Sequence, residues 1–160
     1  MKSLRSSVLG DCATNQVRYG VQMQVPRPGL LYLVTANDIQ EVRSALARGR
    51  LPCDFEAKLA RLGDGSLIHQ QVEQYSRLFF ALLLAALESS FTDATPAERE
   101  RLLRVLAYVR KDDDAIPDYK PGGFIDDQQE VRAAATELGP LLQAFKVWRL
   151  RHQVPGMWRG

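Results

Sequence analysis

The residues in this sequence most able to do chemistry are six aspartates within residues 109–127, a stretch we call the acidic turn. They are Asp112, Asp113, Asp114, Asp118, Asp126 and Asp127. Hard cations such as Ca²⁺ and Mg²⁺ are held by several oxygen ligands, so this grouping predicts a divalent cation as the candidate cofactor. The candidate metal ligands are Asp114, Asp118, Asp126 and Asp127.

The acidic turn also has a structural explanation. Counted from Asp112, the sixth position is not glycine and the twelfth is not glutamate, so the spacing differs from an EF-hand loop. Asp126 and Asp127 would lie in the first turn of the next helix, where the helix dipole favours each carboxylate by about 0.3 to 1 kcal/mol. Two interpretations stay open. One is a metal-binding module or metal-dependent enzyme that uses the Asp112–Asp127 carboxylates, and the other is helix caps with solvated turn charges.

The cysteines, histidines and glycines indicate no further catalytic centre. Cys12 and Cys53 lack the paired spacing of a disulfide framework or a zinc site, and free thiols are typical of a reducing cytoplasm. His69 and His152 have no second histidine at ligand spacing. The glycines near residue 63 lack the lysine and hydroxyl residue of a phosphate loop.

A second candidate site lies at the C-terminal end, where the last 21 residues carry a net charge of +4. Bases interleaved with an aromatic residue suit an acidic partner, an anionic membrane surface or RNA. The candidate partner-binding residues are Lys146, Trp148, Arg149, Arg151 and Trp158. A surface helix with Phe145 and Trp148 buried is the alternative. The net charge of only +2 over the whole chain argues against nucleic acid as the partner.

The elements that position these residues are mostly helices. Residues 17–25 alternate apolar and polar side chains, and a Pro-Gly turn separates them from a second apolar run, so residues 17–35 are predicted to form a β-hairpin. Asn37 or Asp38 is the predicted cap of a first helix that ends at Gly49, and a second helix is closed by Gly63.

The predicted third helix is the central one. It starts at a cap at Asp64 or Ser66 and runs to about Phe91, and its middle is apolar around most of its circumference. Thr95 begins a fourth helix with a capping box. Further helices lie on either side of Gly139-Pro140, which breaks the helical pattern.

The acidic turn resembles the central motif of the YkvA-like family, a bacterial domain of unknown function. The resemblance covers roughly residues 100–135 and rests on Asp114-Ala-Ile-Pro-Asp118, Pro121-Gly-Gly123 and Asp126-Asp127. It implies a helical hairpin joined by an Ile-Pro-Asp segment, a glycine turn and an Asp-Asp pair. Many members of that family are membrane-associated, but here Tyr-Lys-Pro-Gly-Gly at 119–123 is more polar than the usual linker. The resemblance implies no catalytic residues.

Together these patterns predict a mainly α-helical single domain of five or six helices with an N-terminal β-hairpin. The predicted parts are a segment 1–16, a hairpin 17–35, a helical core 36–151 and a tail 152–160. The longest apolar run is too short to cross a bilayer, and residues 1–12 lack the continuous apolar core that is typical of a secretory signal. We therefore expect a cytoplasmic protein, with the periphery of the inner membrane as the alternative location. The expected function is a non-enzymatic interaction or accessory subunit of a bacterial complex.

Overall fold

The computed structural model describes residues 33–112 and 116–152 of the chain. Within these ranges six α-helices follow one another without a strand: α1 Ala36–Ala47, α2 Cys53–Gly63, α3 Leu67–Leu87, α4 Pro96–Arg110, α5 Ile125–Glu137 and α6 Gly139–Arg151. The prediction of a mainly helical fold is confirmed. Residues 1–16, the tail beyond His152 and all but the last three residues of the predicted hairpin lie outside the described residues, so the hairpin stays a prediction.

Three helices begin at side-chain caps. Ser66 caps α3 and Thr95 caps α4 with Glu98 in a capping box, as predicted. The predicted cap of α1 was wrong. Thr35 is the cap, and Asp38 instead accepts from the Thr35 backbone amide at 2.8 Å. The reciprocal pairing of a threonine with an acid three residues later satisfies two free amides at once, which a cap at Asp38 would not do.

The C-terminal ends of the helices follow the glycine and proline signals, with one correction. Gly49 has a φ of +71° just after α1, and α5 and α6 separate before Gly139, both as predicted. The predicted end of α3 at Phe91 was wrong, because α3 ends at Leu87. The chain turns through Ser89 at a φ of +58°, and the Phe91 amide donates back to the carbonyl of Ala85 at 3.2 Å. This turn carries Phe91 into the core.

Helix α3 lies at the centre of the fold, as its apolar composition predicts. It packs against α1, α2, α4 and α5. Val72, Phe79 and Leu82 are completely buried along it, so its apolar circumference is covered by neighbours on several sides. No helix within the described ranges is both long and apolar enough to cross a membrane.

Helix α6 is attached to the rest of the fold by aromatic side chains. The ring of Phe91 lies 5.2 Å from that of Phe145 and 5.7 Å from that of Trp148, and Phe145 stacks on Trp148 at 5.6 Å. Aromatic pairs at these separations are favourable beyond the area they bury. The turn after α3 therefore positions Phe91 to hold α6.

Candidate functional site: a buried lysine between two helix ends

A lysine from α2 occupies the centre of the acidic turn. Lys58 lies on the same face of α2 as the core residues Phe55, Leu59 and Leu62, at helical spacing, and its relative exposure is 2%. Its ammonium group reaches the C-terminal end of α4 and the N-terminal end of α5. A charge this deeply buried requires partners, because removal from water is costly.

The first partners of Lys58 are free carbonyls at the end of α4. Lys58 Nζ donates to the carbonyl oxygen of Val109 and, at 2.9 Å, to that of Lys111. The last carbonyls of a helix have no partner within the helix and carry its negative partial charge. The ammonium therefore caps α4 from another helix.

Three carboxylates surround the same ammonium. Lys58 Nζ lies 2.5 Å from Asp118 Oδ2, 3.7 Å from Asp112 Oδ1 and 3.9 Å from Asp127 Oδ2. It also lies 5.5 Å from the centre of the Phe124 ring, within the range of a cation–π contact. We call Lys58, Tyr108, Asp112, Asp118, Asp126 and Asp127 the Lys58 cluster.

Asp126 in this cluster is held by a tyrosine hydroxyl and a backbone amide. The hydroxyl of Tyr108 donates to Asp126 Oδ2 at 2.6 Å, and the amide of Ile116 donates to the same oxygen at 3.2 Å. Asp126 and Asp127 both lie in the first turn of α5 and are almost completely buried. Their carboxylates complement the positive end of α5 while Lys58 complements the negative end of α4.

The glycine pair of the acidic turn lets the chain close around this cluster. Gly122 has a φ of +76°, a backbone angle that glycine adopts without steric cost. Gly123 is constrained by space, because a Cβ there would lie 2.5 Å from the carbonyl oxygen of Pro117 and 2.7 Å from the Cα of Asp118. The two glycines therefore serve different purposes, and the second one brings the backbone that carries Asp118 close to the start of α5.

Burial raises the pKa of the Asp118 carboxyl group to about 6, from 3.8 in water. Desolvation is the main cause, since only 12% of the side chain is exposed. The contact with Lys58 acts in the opposite direction, and the nearby Asp112 carboxylate raises the pKa further. Asp118 thus binds a proton more tightly in the folded chain than in water.

The structure brings together three of the four predicted metal ligands, and Asp114 lies outside the described residues. Asp126 and Asp127 lie in the first turn of α5, as predicted, and both are buried, with Lys58 and Tyr108 among their neighbours. Asp118 is partly buried, with 12% of its side chain exposed, and it contacts Lys58. Among the residues described, no group of three or more histidine, cysteine, aspartate or glutamate side chains is arranged to hold a metal ion. Metal binding stays a prediction. A rise in melting temperature with Ca²⁺ or Mg²⁺ that Asp127→Asn removes would support it.

Sequence reasoning missed Lys58 and Tyr108. The signal for Lys58 was its position among the apolar residues of the α2 stripe, where a lysine has to find a buried partner. Tyr108 gave a weaker signal, because tyrosine is intermediate between core and surface residues in its burial.

The predicted partner-binding residues at the C-terminal end differ in exposure where the structure describes them. Lys146 and Arg151 are exposed, whereas Trp148 is half-buried in the aromatic group with Phe91 and Phe145. The Arg149 guanidinium lies 5.7 Å from the centre of the Phe145 ring. Trp158 lies outside the described residues.

A groove of about 430 Å³ opens where α1, the end of α3 and the start of α4 meet. Leu46, Leu83, Leu87 and Leu103 give it an apolar lining, and Arg43, Arg99 and Glu100 lie along its rim. We call it the apolar groove. Its size is within the range of ligand-binding pockets.

Comparison of the chain with known protein families, with curated proteins and with solved structures found no match. The resemblance of the acidic turn to the YkvA-like family therefore stays a prediction.

Proposed function

We propose that this protein is a non-enzymatic interaction or accessory subunit that binds a partner protein through the apolar groove. The observation that carries the proposal is Leu87, which stands in the groove with 54% of its surface exposed, next to the buried Leu83 and Leu103. Exposed apolar side chains in a concave site favour the binding of another apolar surface. An amphipathic helix that inserts one or two apolar side chains is the simplest ligand for such a groove.

The charges at the rim favour an acidic partner segment. Arg43 forms an ion pair with Glu100 at 2.7 Å, and Glu100 also lies 3.4 Å from Arg104. Within the described part of the chain, Arg99 forms no ion pair. The rim therefore carries excess positive charge, and opposite charges across an interface guide both the encounter and the orientation of the partner.

A site-specific crosslinking experiment tests this proposal. A photoreactive amino acid replaces Leu87 in one sample and Leu67 in a matched sample, because Leu67 is also an exposed leucine of α3 but lies at the other end of the helix. We expect one discrete adduct from position 87, joined to a segment that has apolar residues with acidic neighbours, and no such adduct from position 67.

Charge substitutions at the same two positions give the second readout. Leu87→Asp should abolish recovery of that partner with the tagged protein, whereas Leu67→Asp should leave it unchanged, since an acidic residue at a helix N-terminus is well tolerated. Recovery that is unaffected by Leu87→Asp, or lost equally in both variants, would contradict binding in the apolar groove.

A further inference from the structure

The lining of the apolar groove restricts the chemistry of what it can hold. Its apolar part is entirely aliphatic, because it consists of leucines from α1, α3 and α4 together with Ala47 and Pro96. Among the described residues that line the groove, none is aromatic and none carries a hydroxyl or amide side chain. A ligand is therefore held here by apolar contact rather than by ring stacking or by hydrogen bonds to uncharged side chains, so its buried part has to be an aliphatic chain.

The leucines of the groove differ in exposure. Leu46, Leu83 and Leu103 are buried and form the floor, whereas about half of the Leu87 side chain is exposed. An aliphatic chain laid along Leu87 would remove apolar surface from water on both sides of the contact, which favours binding. The volume of about 430 Å³ is large enough for a small ligand.

The rim of the groove determines the charge of the ligand. Arg43 and Arg99 border the groove, and Glu100 is the acidic residue among its described lining residues. Glu100 is paired with Arg43 at 2.7 Å, whereas Arg99 forms no ion pair within the part of the chain that the structure describes. A guanidinium group binds a carboxylate through two parallel hydrogen bonds, so Arg99 is placed to bind the anionic end of an aliphatic ligand.

We propose that the apolar groove binds a free aliphatic carboxylate of the fatty-acid type, with its chain along Leu87 and its carboxylate at Arg99, and that this ligand displaces the partner segment. The displacement rests on the proposed function, because the partner segment combines apolar groups with acidic ones in the same way. Two ligands that need the same leucine and the same arginine exclude each other. The carboxylate therefore regulates partner binding by competition.

Calorimetric titration of the whole chain with decanoate tests the ligand site. Decanol is the matched probe, because it has the same chain length and no charge. We expect saturable one-to-one binding of decanoate. Arg99→Gln should weaken decanoate binding about fivefold and leave decanol binding unchanged, since an ion pair with a partly exposed arginine contributes up to about this factor. Arg61→Gln is the control, because Arg61 is an exposed arginine of α2 outside the groove.

A charge at the floor of the site gives an independent readout. Leu87→Asp should abolish decanoate binding, whereas Leu67→Asp at the other end of α3 should leave it unchanged. The ligand site would be overturned by the absence of saturable decanoate binding or by binding that survives in Leu87→Asp. Equal weakening of decanoate and decanol in Arg99→Gln would also overturn it, because the arginine would then not recognise the carboxylate.

The crosslinking experiment separates this ligand from the partner protein. Saturating decanoate, added before illumination, should remove most of the adduct formed at position 87, and decanol at the same concentration should remove less. An adduct of unchanged yield would overturn the competition. A chain that binds decanoate but forms no adduct at position 87 would support the ligand site and contradict the proposed function. A chain that forms the adduct but binds no decanoate would do the reverse.

Discussion

The Lys58 cluster and the apolar groove lie near opposite ends of α4 and are built in opposite ways. The cluster at the C-terminal end of α4 is polar and, apart from the exposed Asp112, largely buried, and its side chains come from α2, α4, α5 and the segment between the last two. The groove at the N-terminal end of α4 is apolar and open, and it exposes Leu87. The polar side chains thus hold the fold together, and the apolar ones are left available to another molecule.

This difference reverses the expectation from residue type alone. Aspartates in a turn suggest a site that faces solvent, but here they are the acceptors for a buried lysine and a buried tyrosine. Leucines at helical spacing suggest a core, but Leu87 lies at the surface of a groove. Since buried charges are tolerated only with partners, the cluster restricts how α4 and α5 are joined. The following predictions test the comparison.

The largest effect is expected from Lys58→Ala. This change leaves several buried carboxylates and the carbonyls of Val109 and Lys111 without their cation, which should lower the free energy of unfolding by about 3 to 5 kcal/mol. Urea unfolding monitored by circular dichroism measures it. Lys120→Ala removes an exposed lysine from the same connection and should change stability by less than about 0.5 kcal/mol. Equal effects of the two changes would show that the cluster does not stabilise the fold.

A smaller effect is expected from Tyr108→Phe. Loss of the hydroxyl removes the donor 2.6 Å from Asp126 Oδ2 and leaves a buried carboxylate with fewer hydrogen bonds, at a cost of about 1 to 3 kcal/mol. Thermal unfolding of the variant provides the test. Tyr119→Phe is the matched control, because Tyr119 is exposed and its hydroxyl is solvated. A loss of stability in Tyr108→Phe that is no larger than in Tyr119→Phe would show that the Tyr108 hydroxyl does not stabilise the buried Asp126 carboxylate.

The next effect is a pH dependence of global stability. Folding raises the pKa of Asp118 from 3.8 to about 6, so the protonated carboxyl group stabilises the folded state. This stabilisation is fully present below pH 3.8 and is lost as the pH rises through 6. The free energy of unfolding should therefore fall by about 1 kcal/mol between pH 5 and pH 8 through Asp118. Urea unfolding at both pH values should show this fall in the wild type but not in Asp118→Asn. Asp93→Asn is the control, because Asp93 is an exposed carboxylate between α3 and α4, and it should follow the wild type. Parallel profiles for Asp118→Asn and the wild type would contradict the raised pKa.

The smallest effect is expected at the apolar groove. Leu87→Ser removes an apolar side chain that is already half exposed, so the free energy of unfolding should change by no more than about 0.5 kcal/mol, as for Leu67→Ser. Chemical unfolding of both variants gives the comparison. A cost of about 2 kcal/mol or more for Leu87→Ser alone would show that the groove is filled when the chain is folded.

Local signals in the sequence predicted much of the fold. The Thr95 capping box, the glycine that ends α1 at Gly49 and the break before Pro140 each depend on residues within a few positions of one another, and all three are confirmed. The error at the start of α1 arose locally, from competing caps. The error at the end of α3 arose from a turn that carries Phe91 into a tertiary contact with α6. For the candidate site, the sequence indicated the aspartates but neither Lys58 nor Tyr108.

By itself, the sequence determined that this chain forms amphipathic and apolar helices separated by glycine, proline and capping signals. It did so because those preferences depend on backbone geometry and on neighbours within one or two helical turns. Only the tertiary structure decided that the acidic turn closes on Lys58. This lysine caps the end of α4 through the carbonyl of Val109, which follows it by 51 residues. Burial and charge pairing depend on which helices pack together, and therefore the same aspartates that suggest a metal site are held by an ammonium group.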